Sequence, residues 1–289
     1  MSPRKKTSPA DPSAHRGEVR SKKPLGLPTR GKTAPNRLRA TDTYLALCHA
    51  GFLRVLPGWY VDLGFGETPQ TTLESAARLR RVNPDIPFLG VELDPKRAAA
   101  AQSFAGPGMV FRRGGFNLPL EAGECAAVIR AMNVLRQYPE GDYRPSVGLL
   151  MGQLCKEGLL LEGTSDPPGR LMAFNLYRRA GGSAVCEALI FAVRLRHPFS
   201  PRDLQAVLPK NYIHHAEPGG ALDAFFGDWE ECWRRAFRQS PRDPRRRFRL
   251  AARALSADCG HPVDGHSSLL SRGFLRLTSP PNLSRPAAP

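Results

Sequence analysis

Between residues 59 and 161 short apolar runs alternate with helix-patterned segments, and this alternation limits the possible folds more than any other feature of the chain. Trp59-Tyr60-Val61-Asp62-Leu63-Gly64 ends in glycine, as a buried parallel strand would. Thr68-Pro69 follows as an N-cap with proline at the first helical position, and Leu73, Ala76, Ala77 and Leu79 supply an inward stripe. Phe88-Leu89-Gly90-Val91-Glu92-Leu93 is the next strand, and Asp94-Pro95 opens an alanine-rich helix in the same way. Met109-Val110-Phe111, Ala127-Val128-Ile129 and Leu159-Leu160-Leu161 are three further apolar runs. A helix over 144–155, with Val147, Leu150, Met151 and Leu154 inward, separates the last two. Such alternation builds βαβ units, so the predicted class is α/β, doubly wound, with a mostly parallel sheet. Leu171 to Tyr177 and the 185–195 region flank Gly181-Gly182 as an antiparallel hairpin closing the sheet's edge, although 185–195 reads equally as a helix.

The flanks differ in composition. Residues 1–36 carry six prolines among Ser, Lys and Arg, which predicts a basic disordered arm. A helix is expected from Leu38 to about Ala50. Residues 201–259 read as a helical C-terminal extension, with Trp229, Trp233 and Phe237 as core packing, and the Ser/Pro-rich 260–289 as a disordered tail. The α/β domain is thus predicted over 37–200. In 289 residues the 41% hydrophobic share suffices for a real core. No apolar run approaches the roughly 20 residues that cross a bilayer, and no apolar region follows the basic N-terminus as a secretory signal requires. The six cysteines form no CxxC pair. They read as free thiols, which excludes a disulfide scaffold or zinc module and suits a reducing, cytoplasmic location.

The net charge of +16 is concentrated in the flanks: residues 1–40 hold +9, 234–259 hold +7, and 41–233 hold −2. Basic arms of this kind suit phosphate neutralisation on RNA, through the N-terminal arm and the 234–253 segment. With 34 Arg against only 8 Lys, solvated tails shaped by composition are an equal alternative.

In an open parallel sheet, ligands bind beyond the carboxyl ends of the strands. The first such loop reads Asp62-Leu63-Gly64-Phe65-Gly66-Glu67-Thr68-Pro69. Pro69 stands where a dinucleotide fingerprint needs its third glycine, which argues against nicotinamide or flavin. The loop resembles motif I of the class I S-adenosylmethionine-dependent methyltransferases. Four more segments continue the resemblance: Gly90 to Pro95, Arg113-Gly114-Gly115-Phe116-Asn117-Leu118-Pro119-Leu120, Ala127 to Leu135, and Cys155 to Leu161. It covers roughly 55–165 and implies a Rossmann-like, seven-stranded fold and S-adenosylmethionine as cofactor. Asp62, Gly64, Gly66, Glu92, Leu93, Phe116 and Asn133 are the implied cofactor residues. Glu92 falls in the position that binds ribose hydroxyls, and Phe116 flanks the adenine. Gly115 replaces a residue that is commonly acidic or polar, and Lys156-Glu157 replaces proline-glycine in what reads as a neutral turn change.

Catalytic groups are unmarked, because methyl transfer depends mostly on in-line positioning. Asn133 lies where amino-nitrogen methyltransferases begin an Asn/Asp-Pro-Pro-aromatic motif, but Val134-Leu135-Arg136 follows. Arg130, Arg136, Tyr138, Glu162 and Asp166 are candidates to face a substrate. His214-His215 read as ordinary loop residues, and no metal site is expected. Three functions stay open: a methyltransferase acting on RNA or an RNA-associated substrate, a small-molecule methyltransferase, and a non-catalytic S-adenosylmethionine-binding protein.

Overall fold

The computed structural model describes residues 23–28 and 31–279. Helices α1 (Arg39–Cys48) and α2 (Ala50–Arg54) precede the alternating core: β1 (Trp59–Leu63), α3 (Gln70–Leu79), β2 (Phe88–Glu92), α4 (Pro95–Ala101), β3 (Met109–Arg113), β4 (Ala126–Met132), α5 (Tyr143–Gly152) and β5 (Leu154–Ser165). A meander of β6 (Leu171–Ala180) and β7 (Ser183–Val193) follows. Next come α6 (Lys210–Ile213), α7 (Ala221–Gln239), α8 (Pro244–Ala257), α9 (Ser267–Leu270) and β8 (Phe274–Leu277).

All eight strands form one sheet in the order β3-β2-β1-β4-β5-β6-β7-β8. The first five are parallel and the last three antiparallel. The chain winds from β1 through β2 to β3 on one side, then returns to place β4 and β5 on the other. The gap between the loops after β1 and β4 is therefore the topological switch point, where such sheets bind ligands. The hydrophobic runs behave as predicted: Val61, Leu89, Val91, Val128, Ile129, Leu160 and Leu161 are all buried. Asp94 caps α4, accepting hydrogen bonds from the N–H groups of Lys96 (2.8 Å) and Arg97 (3.1 Å).

The hairpin reading of residues 185–195 holds, since they lie largely in strand β7, while other expectations are corrected. Gly181 (φ 55°) and Gly182 (φ 85°) take the left-handed pair of conformations that a two-residue hairpin turn needs. The sheet has eight strands, because residues 274–277 of the expected tail pair with β7 from Leu189↔Leu277 to Ala192↔Phe274. Residues 280–289 lie outside the described residues, as do 1–22, 29 and 30 of the arm. The described part of the arm is not disordered. Asn36 N–H donates to both carboxylate oxygens of Glu74 at 2.9 Å, and an Arg194 Nη2 donates to its carbonyl at 2.8 Å. Cys125 and Cys155 form a disulfide, their Cα atoms 5.4 Å apart. They flank the starts of the adjacent parallel strands β4 and β5, a proximity that a separation of 30 residues hides in the sequence. The aromatic stripe on α7 is only partly core: Trp229 is fully buried, whereas Phe237 is exposed beneath the Arg247 guanidinium, 4.3 Å from its ring.

Glu157 is not a neutral replacement. Its φ of 61° is the left-handed conformation that glycine adopts freely. Glu157→Gly is expected to stabilise the fold by about 0.5–1 kcal/mol, read as a higher urea midpoint at constant slope.

Candidate cofactor and substrate cleft

The loop after β1 is shaped by two glycines in left-handed conformations, Gly64 (φ 73°) and Gly66 (φ 91°). Gly64 N–H donates to Val91 O at 2.7 Å, which ties the loop to β2. Glu92, the last residue of β2, is buried. One of its carboxylate oxygens accepts from Gly66 N–H at 2.9 Å, and the other from Leu93 and Asp94 N–H at 2.9 and 3.1 Å. Three of roughly four lone-pair directions are therefore used, and the carboxylate orders the glycine loop from below.

Asp62 is placed differently from the expected cofactor role. Its Oδ2 accepts from the Thr71 and Thr72 hydroxyls at 2.8 and 2.7 Å, and its Oδ1 from Arg130 Nε at 3.1 Å. Arg130, a candidate for facing substrate, has no exposed surface. It bridges Asp62 to Asp42, Ser75 and the Thr71 carbonyl. Because every other residue of a strand shares a face, Asp62 and Arg130 meet under α3, whose inward side is Thr71, Thr72, Ser75, Ala76 and Leu79. Ala77, expected inward, is exposed.

A cleft of about 710 Å³ opens at the carboxyl ends of β1, β4 and β5, lined among others by Gly64, Gly66, Arg37, Asn133, Thr164 and Ser165. Its volume is that of small-molecule sites in general. Asn133, at φ 62°, joins two strand ends: its Oδ1 accepts from Ser165 N–H at 2.9 Å and its Nδ2 donates to Ser165 Oγ at 3.2 Å. Arg37 reaches the same corner. Its Nε donates to Ser165 Oγ at 3.0 Å and Asp166 O at 3.1 Å, and its Nη2 to Ser165 O at 3.0 Å and Asn133 Oδ1 at 3.3 Å. Arg37, the first residue after the predicted arm, thus builds the wall of the cleft.

A second cavity of about 20 Å³, room for a single water, lies beside Glu92 and Leu93 against Phe116 and Tyr138. The Phe116 and Tyr138 rings pack 5.1 Å apart. Leu25, Gly26 and Leu27 form its outer wall.

The remaining candidates separate. Arg136 and Asp166 line the cleft. Asp166 Oδ1 also accepts from the Arg170 and Leu171 N–H groups, capping the β5–β6 turn. Glu162 is not in a loop: it lies within β5, buried, where its Oε2 accepts from Tyr143 Oη at 2.7 Å and Asn175 Nδ2 at 3.2 Å. Burial pushes its carboxyl up to about 7 despite these two donors. His215 pairs with Glu140 at 2.9 Å and His214 with Lys210, and among the described residues no cluster could hold a metal ion. No helix among them is long and apolar enough to cross a membrane.

No family model and no curated protein matches the chain. Parts of it are similar to solved structures. Magnesium protoporphyrin IX methyltransferase ChlM from Synechocystis PCC 6803 is 18% identical over 43% of this chain and 53% of that one, with a TM-score of 0.33. The amino pentose methyltransferase CalS10 from Micromonospora echinaspora is 15% identical over 56% and 69%, at 0.33. The [4+2]-cyclase SpnF is 22% identical over 44% of each chain, at 0.30. The chain spans 31% of the length of a citrinin polyketide synthase CMeT domain and 53% of that of ChlM. Likenesses of this extent assign no activity. By its own strand order and the glycine loop at its switch point, the chain has a Rossmann-like α/β fold, with the five segments that resemble class I methyltransferases following or entering its parallel strands.

Proposed function

We propose that the chain binds S-adenosylmethionine at the switch point and methylates a small molecule held in the adjoining cleft. The observation that carries this reading is the cleft of about 710 Å³ bordered by Gly64 and Gly66, with Glu92 ordering the same loop. The two glycines let a ligand approach the backbone, and the remaining acceptor direction of Glu92 suits a ribose hydroxyl. When bound, the cofactor supplies an electrophilic methyl group. The chain's part is to orient both reactants: Gly64 and Gly66 present main chain, while Asn133, Ser165 and Arg37 hold the opposite wall rigid. Of the seven cofactor residues that the resemblance implies, Gly64, Gly66, Glu92, Leu93, Phe116 and Asn133 each line one of the two cavities. Asp62, although at the cleft's floor, is committed to Arg130 and the two threonines.

A non-catalytic binding protein is the second reading, favoured by the commitment of each carboxylate near the cleft to the protein's own donors. The RNA acceptor expected from the flanking charge rests on that charge alone.

Calorimetric titration with S-adenosylmethionine tests the proposal. Binding in the micromolar range, about −8 kcal/mol, is expected, with Glu92→Ala weakening it at least tenfold, or about 1.4 kcal/mol. Labelled methyl should then appear in a small-molecule extract. Binding without transfer to any fraction would select the second reading, and no binding by folded protein would remove both.

A further inference from the structure

Residues 23–28 cross the small cavity as an extended strap, held mainly by hydrogen bonds. Leu25 O accepts from Phe116 N–H at 2.8 Å, and Leu25 N–H donates to Asn117 Oδ1 at 2.6 Å. Asn117 Nδ2 donates to Lys23 O at 3.0 Å, so one side chain holds the strap at two residues. Leu27 N–H donates to Tyr138 Oη, and Gln137 Nε2 donates to Leu27 O at 3.2 Å. Farther along, Gly31 O accepts from Glu67 N–H at 3.0 Å in the glycine loop itself.

Two glycines make room for this path. A Cβ on Gly115 would collide with the Leu25 carbonyl, and one on Gly66 would lie 2.5 Å from Gly31 O. The replacement at Gly115 noted in the sequence therefore has a steric reason: only hydrogen at that position lets the strap seat. Yet the strap is no core element. Leu25 and Leu27 are 48% and 49% exposed, so little apolar burial holds it down.

We propose that residues 23–28 are an intramolecular plug on the nucleoside half of the cofactor site, which S-adenosylmethionine must displace in order to bind. This rests on the cofactor reading above. The strap uses the Phe116 N–H and covers the approach to Glu92, leaving space for one water where a nucleoside would need that of several. The wider cleft beyond Gly64 stays open, so the plug acts on one half of the site only. The apparent affinity is then the intrinsic one reduced by the fraction of molecules with the strap released.

The test combines calorimetry with amide hydrogen exchange of the full chain, using S-adenosylhomocysteine as probe. Asn117→Ala removes the clasp and Asn117→Asp only its bond to the Lys23 carbonyl, neither altering the cavity lining. Each variant is expected to bind the probe about tenfold more tightly than the wild type, the factor for losing one or two hydrogen bonds. In the wild type, the probe should speed exchange of the Leu25 and Leu27 amides. Slower exchange on binding would show a lid closing over the ligand and overturn the plug, as would equal affinity in all three proteins. If neither wild type nor variants bind the probe while Asn117→Ala still speeds strap exchange, the cofactor reading fails and the plug with it. That pattern differs from a failure of the plug alone, in which binding persists.

Discussion

Arg130→Met is expected to destabilise the fold by about 3–5 kcal/mol, more than any surface substitution on this chain, because it leaves two buried carboxylates without their shared counter-ion. Arg130 has no exposed side-chain surface, and Asp42 and Asp62 are 1% and 3% exposed. Its Nη1 donates to Asp42 Oδ1 at 3.0 Å, and its Nη2 lies 2.9 Å from Asp62 Oδ2. Burial raises the Asp42 carboxyl, and Arg130 is the largest influence opposing that rise. Arg78, at 2.8 Å from Asp42, compensates only one of the two acids. Urea denaturation measures the loss directly, and a deficit below about 1 kcal/mol would show that the network relaxes or hydrates. The pair Asp62→Asn, Arg130→Met should recover part of the deficit, since it removes one of the stranded charges. Asp62 variants therefore report on stability as well as on any ligand, whereas Glu92→Ala is the cleaner probe of the proposed cofactor site.

The second large effect is a pH dependence carried by Glu162. Its carboxyl is raised from 4.5 to about 7, first by burial, with the Tyr143 and Asn175 hydrogen bonds opposing. A carboxyl raised on folding binds a proton more tightly in the native state. Its contribution is therefore complete below about 4.5 and is lost as pH rises to about 7. The shift corresponds to about 3 kcal/mol as an order of magnitude. His49 works in the opposite sense: burial lowers it from 6.5 to about 4, so its contribution is gained as pH rises over that interval. The wild-type profile is consequently flattened, and the informative quantity is the difference between wild type and Glu162→Gln. That difference should fall by about 3 kcal/mol between pH 4.5 and 7 and then level off. Parallel profiles, within about 0.5 kcal/mol, would mean that Glu162 is ionised in the native state throughout. Its Oε1 is buried without a hydrogen-bond partner, which a permanent carboxylate tolerates poorly.

Local sequence determined the alternating core of this protein. Apolar runs such as Val61 to Leu63 and Val128-Ile129, separated by capped helices, can bury both faces only as a parallel sheet under helices, so the strands and the glycine loop between them were legible from spacing alone. The placement of Gly64, Gly66 and Glu92 at the switch point followed, because each stands at or just beyond a strand's carboxyl end.

Tertiary structure decided the rest, and in each case the deciding partner is far away in sequence. Asp62 looks like a ligand acid until Arg130, 68 residues later, occupies it across the β1–β4 pair. The inward side of α3 is polar because it faces that ion network, so an apolar stripe through Ala77 mispredicts it. The sequence 274–277 is too short to show a strand by pattern, and becomes one only because β7 offers an unpaired edge. Cysteines 30 residues apart give no sign that neighbouring strands bring them together. The arm carries no hydrophobic periodicity, since main-chain contacts hold it: Leu25 against Phe116, and Gly31 against Glu67. Hydrogen bonds between main-chain atoms leave no signature in side-chain pattern, which is why a segment that reads as a solvated tail proves to wall the cleft and cover the small cavity beside it.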